Sequence, residues 1–295
     1  MTTLKNWLSA GKPILLDGAM GTMLMEAGLE PGDAPEEWNI SHPERIQEIH
    51  RAYIQAGSQI FLTNSFGGTS FRLGMHGLDE QVFALNAAAG NIARQVADEA
   101  DRELLVAGSI GPSGQLFAPM GKLTFDTAVE AFREQAAGLA EGGVDLFWIE
   151  TMSDLDEVRA AVAGIREVSD LPITATMSFD THGHTMMGVS PAQAASELQK
   201  LDLAALGANC GTGSDELIEV IKIMKAQAPE SNLIAKANAG IPQVKDNAVV
   251  YNGSPDLMAD YAKTVYQVGA QLIGGCCGNT PAHIQAMGDA LTAFS

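Results

Sequence analysis

Short apolar runs, each closed by a polar residue or a glycine, recur eight times along the chain, at 14–17, 59–63, 104–109, 144–150, 173–178, 204–210, 233–238 and 272–277. They are near-continuous in Val, Ile, Leu and Ala rather than alternating, the pattern of strands buried on both faces of a parallel sheet. Amphipathic stretches with helix-start signals separate them. Ser190-Pro191 with Gln193 offers an N-cap serine, proline at the first helical position and a residue able to close a capping box; Ser153-Asp154 follows the same logic with Asp, and Ser254-Pro255 and Thr280-Pro281 open two more helices. Eight strand-loop-helix units predict an α/β fold: a single (β/α)8 TIM barrel with right-handed crossovers.

The segments without clear periodicity are 18–39, 64–77, 111–123 and 180–189, and each follows a strand. In such a barrel the loops after the strands build the catalytic face, so these segments extend one mouth. No linker or low-complexity tract divides the sequence, and one domain spanning 1–295 is expected.

Composition narrows the partners. With 36 acidic residues against 17 Lys and Arg, the formal net charge of -19 repels phosphate backbones and anionic lipid, which argues against nucleic acid and membrane surfaces. No basic-then-apolar leader opens the sequence and no apolar run is long enough for a bilayer, so a cytoplasmic location is expected. Three cysteines, two of them adjacent, make a poor disulfide framework and a better metal set.

The predicted strand ends carry Asp17, Asn64, Glu150, Cys210, Asn238, Cys276 and Cys277, a polar, thiol-rich ring on one face. Three thiolates suit a catalytic zinc with one open position. Adjacent strand residues point to opposite faces, so Cys276 and Cys277 share an ion only if the chain leaves β geometry, which Gly274, Gly275 and Gly278 permit. The bland alternative is that the cysteines are small buried hydrophobes. Asp17 and Glu150 could equally cap helices or pair with arginine, and the role of Asn64 stays open. His182 and His184, two apart in a loop with no carboxylate partner evident, read as solvated rather than as a second metal site. A phosphate-binding barrel lyase or aldolase is the alternative of another class, with Lys236 on the seventh strand as its lysine.

The motifs Asp17-Gly18-Ala19-Met20-Gly21-Thr22, Gly207-Ala208-Asn209-Cys210 and Gly274-Gly275-Cys276-Cys277-Gly278 resemble the zinc-dependent homocysteine S-methyltransferase family, which includes betaine-homocysteine methyltransferases and the homocysteine domain of cobalamin-dependent methionine synthase. The resemblance implies that Cys210, Cys276 and Cys277 hold Zn2+ and that the L-homocysteine sulfur completes the tetrahedron. It implies that Asp17 and Glu150 bind the homocysteine ammonium and that amides around Gly18 and Ala19, as far as Gly21, take its carboxylate. Asn238 resembles the asparagine that some members use as a fourth ligand before substrate arrives.

The expected reaction is methylation of the activated thiolate to give methionine, with the methyl on a small onium donor of betaine or sulfonium type. The alternative is methylcobalamin on a separate corrinoid protein. Aromatic faces hold onium groups by cation-π attraction, and Trp38, Phe66, Phe71 and Trp148 are the candidates near the expected mouth. Asn64-Ser65-Phe66-Gly67-Gly68 carries glycine where the animal betaine enzymes have a tyrosine, which argues against carrying betaine specificity over directly. The sequence leaves the oligomeric state open.

Overall fold

The computed structural model of the protein describes residues 3–245 and 248–294. Its ten strands are β1 (Ile14–Leu15), β2 (Ile60–Leu62), β3 (Leu105–Ile110), β4 (Leu146–Met152), β5 (Ile173–Met177), β6 (Ala205–Cys210), β7 (Leu233–Ala237), β8 (Pro242–Lys245), β9 (Ala248–Tyr251) and β10 (Ala270–Gly275). Eight of them run parallel in the order β1-β10-β7-β6-β5-β4-β3-β2, and a parallel bridge between Leu16 and Ile60 joins the two ends. The fold is the expected α/β TIM barrel. One element was not expected: β8 and β9 form an antiparallel hairpin in the loop after β7.

Side-chain alternation divides each barrel strand between two cores. Ile14, Leu16, Ile60, Leu62, Leu105, Ala107, Leu146, Trp148, Ala205, Ile234 and Leu272 fill the barrel interior, and Leu4 of the helix Leu4–Ser9 packs with them. The intervening residues, such as Phe61, Val106, Phe147 and Ile273, join the larger core between strands and helices. Moving up the same inward rows, apolar residues give way to polar ones: Ser109 follows Ala107, Glu150 follows Trp148 and Lys236 follows Ile234. The pleat thus fixes which side chains reach the mouth.

The helix starts form where expected. Ser190 and Ser254 accept from Gln193 N and Leu257 N at 3.2 Å, and Asp154 Oδ1 accepts from Asp156 N at 2.8 Å. The reciprocal capping box expected at Gln193 does not form there; such boxes form between Thr124 and Thr127 and between Thr280 and His283. The segment 18–39 is more ordered than its sequence suggested, folding into helices Met20–Glu26 and Trp38–Ser41. The helices Val82–Asp98 and Phe125–Glu141 meet closely through glycine: a Cβ on Gly138 would lie 2.6 Å from Phe83 O and 2.9 Å from Asn86 Cβ.

Candidate metal centre and its acidic neighbours

Cys210 ends β6 with φ +60, and Gly211 follows at φ +79, so the chain turns out of the sheet at the thiol. Such a backbone is costly for a residue with a Cβ and is held here by its surroundings. Cys276 and Cys277 lie in the turn after β10. Cys276 N donates to Ala237 O (2.7 Å), Ala239 N donates to Cys277 O (2.9 Å), and Asn279 Nδ2 bonds the carbonyls of Ala237 (2.8 Å) and Cys276 (3.0 Å). The adjacent pair has left β geometry, as its glycines allowed.

The three sulfurs come together within 4.8 Å of one another, with Cys210 Sγ 2.8 Å from Cys276 Sγ and 3.9 Å from Cys277 Sγ. Thiolates bound tetrahedrally to zinc at about 2.3 Å are roughly 3.8 Å apart. The wider spacing already matches, and the closer pair would open by about 1 Å. The neighbouring Cys210 and Cys276 thiols pull Cys277 down, against burial. The Cys210 thiol is pushed up by the bonds to Cys276 and Cys277 and by burial. Asn238, just past β7, donates from Nδ2 to Gly211 O (2.8 Å), while its Oδ1 is buried without a partner. An oxygen in that condition fits a fourth ligand.

Below the thiols sits a buried charged group. Asp17 accepts from Leu62 N at Oδ2 (2.7 Å) and from Lys236 Nζ at Oδ1 (2.8 Å), with both partners of the ion pair almost wholly buried. Glu150 Oε1 accepts from Ser109 Oγ at 2.6 Å. Burial pushes Asp17 up, with Lys236 and the Leu62 amide pulling it back. Burial also raises Glu150, to about 7, against the attraction of Lys236 and with help from Cys276. Burial alone would lower Lys236, but Asp17 and Glu150 outweigh it and hold the ammonium above its usual range. Lys236 is therefore a bound cation, not the free amine that a lyase would need for covalent chemistry.

Gly18 packs so tightly on Asn279 O and the Tyr53 ring that no side chain fits there. The Ala19 amide is engaged, donating to Asn279 O at 3.0 Å. The free donors in this segment are the first-turn amides of Met20–Glu26, which has no side-chain cap. Asn64 is a tether: its Nδ2 donates to Pro35 O (2.8 Å) and Asn39 Oδ1 (3.0 Å), and its carbonyl accepts from Asn39 Nδ2. His182 and His184 lie in an exposed turn, apart from the cysteines, which form the only three-residue metal-capable group found among the described residues.

The aromatic candidates fare unevenly. Trp148 is wholly buried beneath Lys236, whose Nζ lies 5.8 Å from its ring, and Trp38 is buried under the Arg45 guanidinium at 4.9 Å. Phe71 packs against the helix-side core. Only Phe66 of the four is an exposed face at the mouth.

Sequence reasoning missed Ser109, Thr151, Thr176, Asn209 and Tyr251. The first four are polar residues at or near strand ends, and alternation from the inward alanines Ala107 and Ala205 could have found Ser109 and Asn209. Tyr251 ends the unexpected hairpin, its ring against Gly278, next to Cys277. The run Val249-Val250-Tyr251 after Asp246-Asn247 was a hairpin signal available in the sequence.

Comparison with known proteins is consistent with this geometry. Residues 14–291 match the family model described as homocysteine S-methyltransferase. The chain is 33% identical over 292 residues to methionine synthase of Mycobacterium tuberculosis (strain ATCC 25618 / H37Rv), covering 93% of this chain and 24% of that protein. It thus spans about a quarter of the length of the curated relatives it matches. The crystal structure of the homocysteine methyltransferase MmuM from Escherichia coli in its metallated form is 27% identical and covers 98% of each chain, with a TM-score of 0.79. The oxidized form of the same enzyme superposes with a TM-score of 0.81 over 98% of this chain and 99% of that one, again at 27% identity.

Proposed function

From the premise that this chain belongs to the homocysteine S-methyltransferase family, we propose that it methylates L-homocysteine to methionine with a zinc ion held by Cys210, Cys276 and Cys277. The observation that carries this reading is the meeting of three thiols, 66 and 67 residues apart, beside a buried carboxylate pair. A free thiol is only a few per cent ionised at neutral pH. Zinc bound there would hold the substrate sulfur as thiolate, in a site whose three cysteine thiolates keep that sulfur electron-rich. That a metallated form of the E. coli enzyme exists supports a metal in this trio, and Asn238 Oδ1 is available as an oxygen ligand before substrate arrives.

The protein's own groups then place the amino acid. Glu150 and Asp17 receive the ammonium, with Lys236 holding Asp17 in position, and the first-turn amides of Met20–Glu26 face the carboxylate. The sulfur lone pair forms the new S–C bond as the bond from methyl to the donor breaks, and an onium donor leaves as a neutral amine or thioether. We favour such a small donor because this barrel carries its own ring of polar groups at the mouth, with Phe66 as its exposed aromatic face. A second reading, methyl transfer from methylcobalamin on a separate corrinoid protein, is favoured by the apolar side chains exposed on the loops after strands, among them Met25, Leu116, Met120, Met186 and Ile241. A reducing cytoplasm, where unpaired thiols persist, suits either.

Zinc content of wild type and Cys276→Ala, read beside methionine formation from homocysteine with betaine or a dimethylsulfonium compound and no corrinoid, tests the proposal. The expected result is one zinc per wild-type chain, its loss in the variant, and methionine formation by wild type alone. Zinc-replete protein that is inactive with onium donors would leave the corrinoid reading in possession, and metal-free wild type from reduced preparations would overturn the zinc assignment.

A further inference from the structure

The buried Asn209 side chain makes four hydrogen bonds to protein groups. Its Oδ1 accepts from Thr151 N (2.9 Å) and Thr176 Oγ1 (2.7 Å), which orients the amide, because one of those partners is a backbone donor. The Nδ2 then faces the other way, bonding Thr151 Oγ1 at 2.7 Å and Cys276 Sγ at 3.7 Å. Thr151 adopts φ +62, with both its amide and its hydroxyl on Asn209, a left-handed backbone that is strained for a β-branched residue. Strain kept at that position points to a need for the amide's orientation.

Tyr251 packs over the turn that carries Cys276 and Cys277. Its ring fills the space over Gly278, where any Cβ would overlap it. The foot of the hairpin is pinned by Gly253 N to Ala239 O (2.8 Å), Ile241 N to Asn252 Oδ1 (3.2 Å) and His283 Nε2 to Gly253 O (3.0 Å). The ring so placed stands next to Cys277.

We propose that Asn209 and Tyr251 are positioning residues that hold Cys276 and Cys277 by hydrogen bonds donated to sulfur, leaving Cys210 as the one thiol of the three with no side-chain donor outside the trio among the described residues. The proposal rests on the metal reading above. A donor on a metal-bound thiolate draws charge from sulfur and fixes its direction, and groups of this kind commonly alter metal affinity by roughly 10- to 100-fold. The trio is therefore unequal: two sulfurs are directed and partly neutralised, and Cys210 keeps its full charge.

The test uses the full chain, stripped of metal and reloaded with cobalt(II), whose sulfur-to-metal charge-transfer band reports electron density on sulfur. Tyr251→Phe removes the hydroxyl and keeps the ring on Gly278; Asn209→Asp replaces the donor with an acceptor. Each variant is expected to move the band to longer wavelength and to lose zinc to a competing chelator roughly 10-fold faster or more. Loss of packing alone would not shift the band in the phenylalanine variant, which therefore decides the matter if the aspartate variant fails to fold. A band and a zinc retention in Tyr251→Phe equal to wild type would overturn the inference. Wild type with no thiolate band would overturn the metal reading, and this inference with it.

Discussion

Burial raises the Glu150 carboxyl, Lys236 and the Ser109 hydroxyl restrain it, and Cys276 and Asp17 add to the rise, so its proton is exchanged near pH 7. Its folded value stands above the ordinary carboxyl range, so its contribution to stability is complete in acid and is lost as pH rises through about 7. An ammonium partner reverses the preference, since it binds only the ionised form. The apparent KM for homocysteine should therefore fall as pH rises from 6 to 8, and Glu150→Gln should flatten that profile and raise KM by roughly 10- to 100-fold, the loss of a charge-assisted hydrogen bond. Initial rates across that range, with metal content matched, check it; a wild-type profile equal to the variant's would remove Glu150 from substrate binding. At this scale the sequence pointed to Cys210, Cys276 and Cys277 because thiols stood at or just past strand ends, and the structure brings their sulfurs together. The sequence was read poorly at Asn209 and Lys236, because a polar residue one step from a strand end acquires its partner only when a neighbouring strand sets the register.

Among the elements, the eight barrel strands were legible because burial on both faces leaves an apolar run, and the helix starts because Ser-Pro and Thr-Pro have a local geometry that needs no tertiary help. The hairpin of β8 and β9 was passed over: Val249-Val250-Tyr251 carried a strand signal, but it lies in a loop after a strand and its role comes from packing on Gly278. Helix contacts were equally silent. Gly138 reads as a helix-weakening residue in Phe125–Glu141, yet it lets that helix close on Phe83 and Asn86. Gly138→Ala should then destabilise the protein by about 1–3 kcal/mol through overpacking, although alanine is the better helix former. Denaturant unfolding decides the sign: a variant more stable than wild type would mean that the helices part without cost.

For the whole molecule, acid sensitivity has an identifiable source far from the thiols. His50 is fully buried on the helix Pro43–Gln55, tilted against Phe61 at 5.0 Å, and neither ring nitrogen has a partner. Burial lowers it from 6.5 to about 3. A histidine that cannot charge when folded favours the unfolded chain in acid, so stability falls as pH drops below about 6.5, by up to about 1.4 kcal/mol per pH unit for one group. The stability advantage of His50→Leu over wild type should accordingly widen by roughly 2 kcal/mol between pH 7 and pH 5; parallel curves for the two proteins would place the acid loss elsewhere. The closed barrel followed from counting apolar runs, but the way β1 meets β2 did not: a parallel bridge between Leu16 and Ile60, with Gln59 N on Leu15 O and Leu62 N on the Asp17 carboxylate, joins the two ends.

That junction has a neighbour with a consequence for selectivity. Gly275 N donates to Asp17 O at 3.0 Å, so the strand that delivers the cysteine turn and the strand that delivers the acid are locked side by side. On the proposed placement, with sulfur at the cysteines and ammonium at the acids, this interval would gauge chain length. Cysteine, one methylene shorter than homocysteine, would then reach one end only, and should be methylated far more slowly than homocysteine in parallel initial-rate assays.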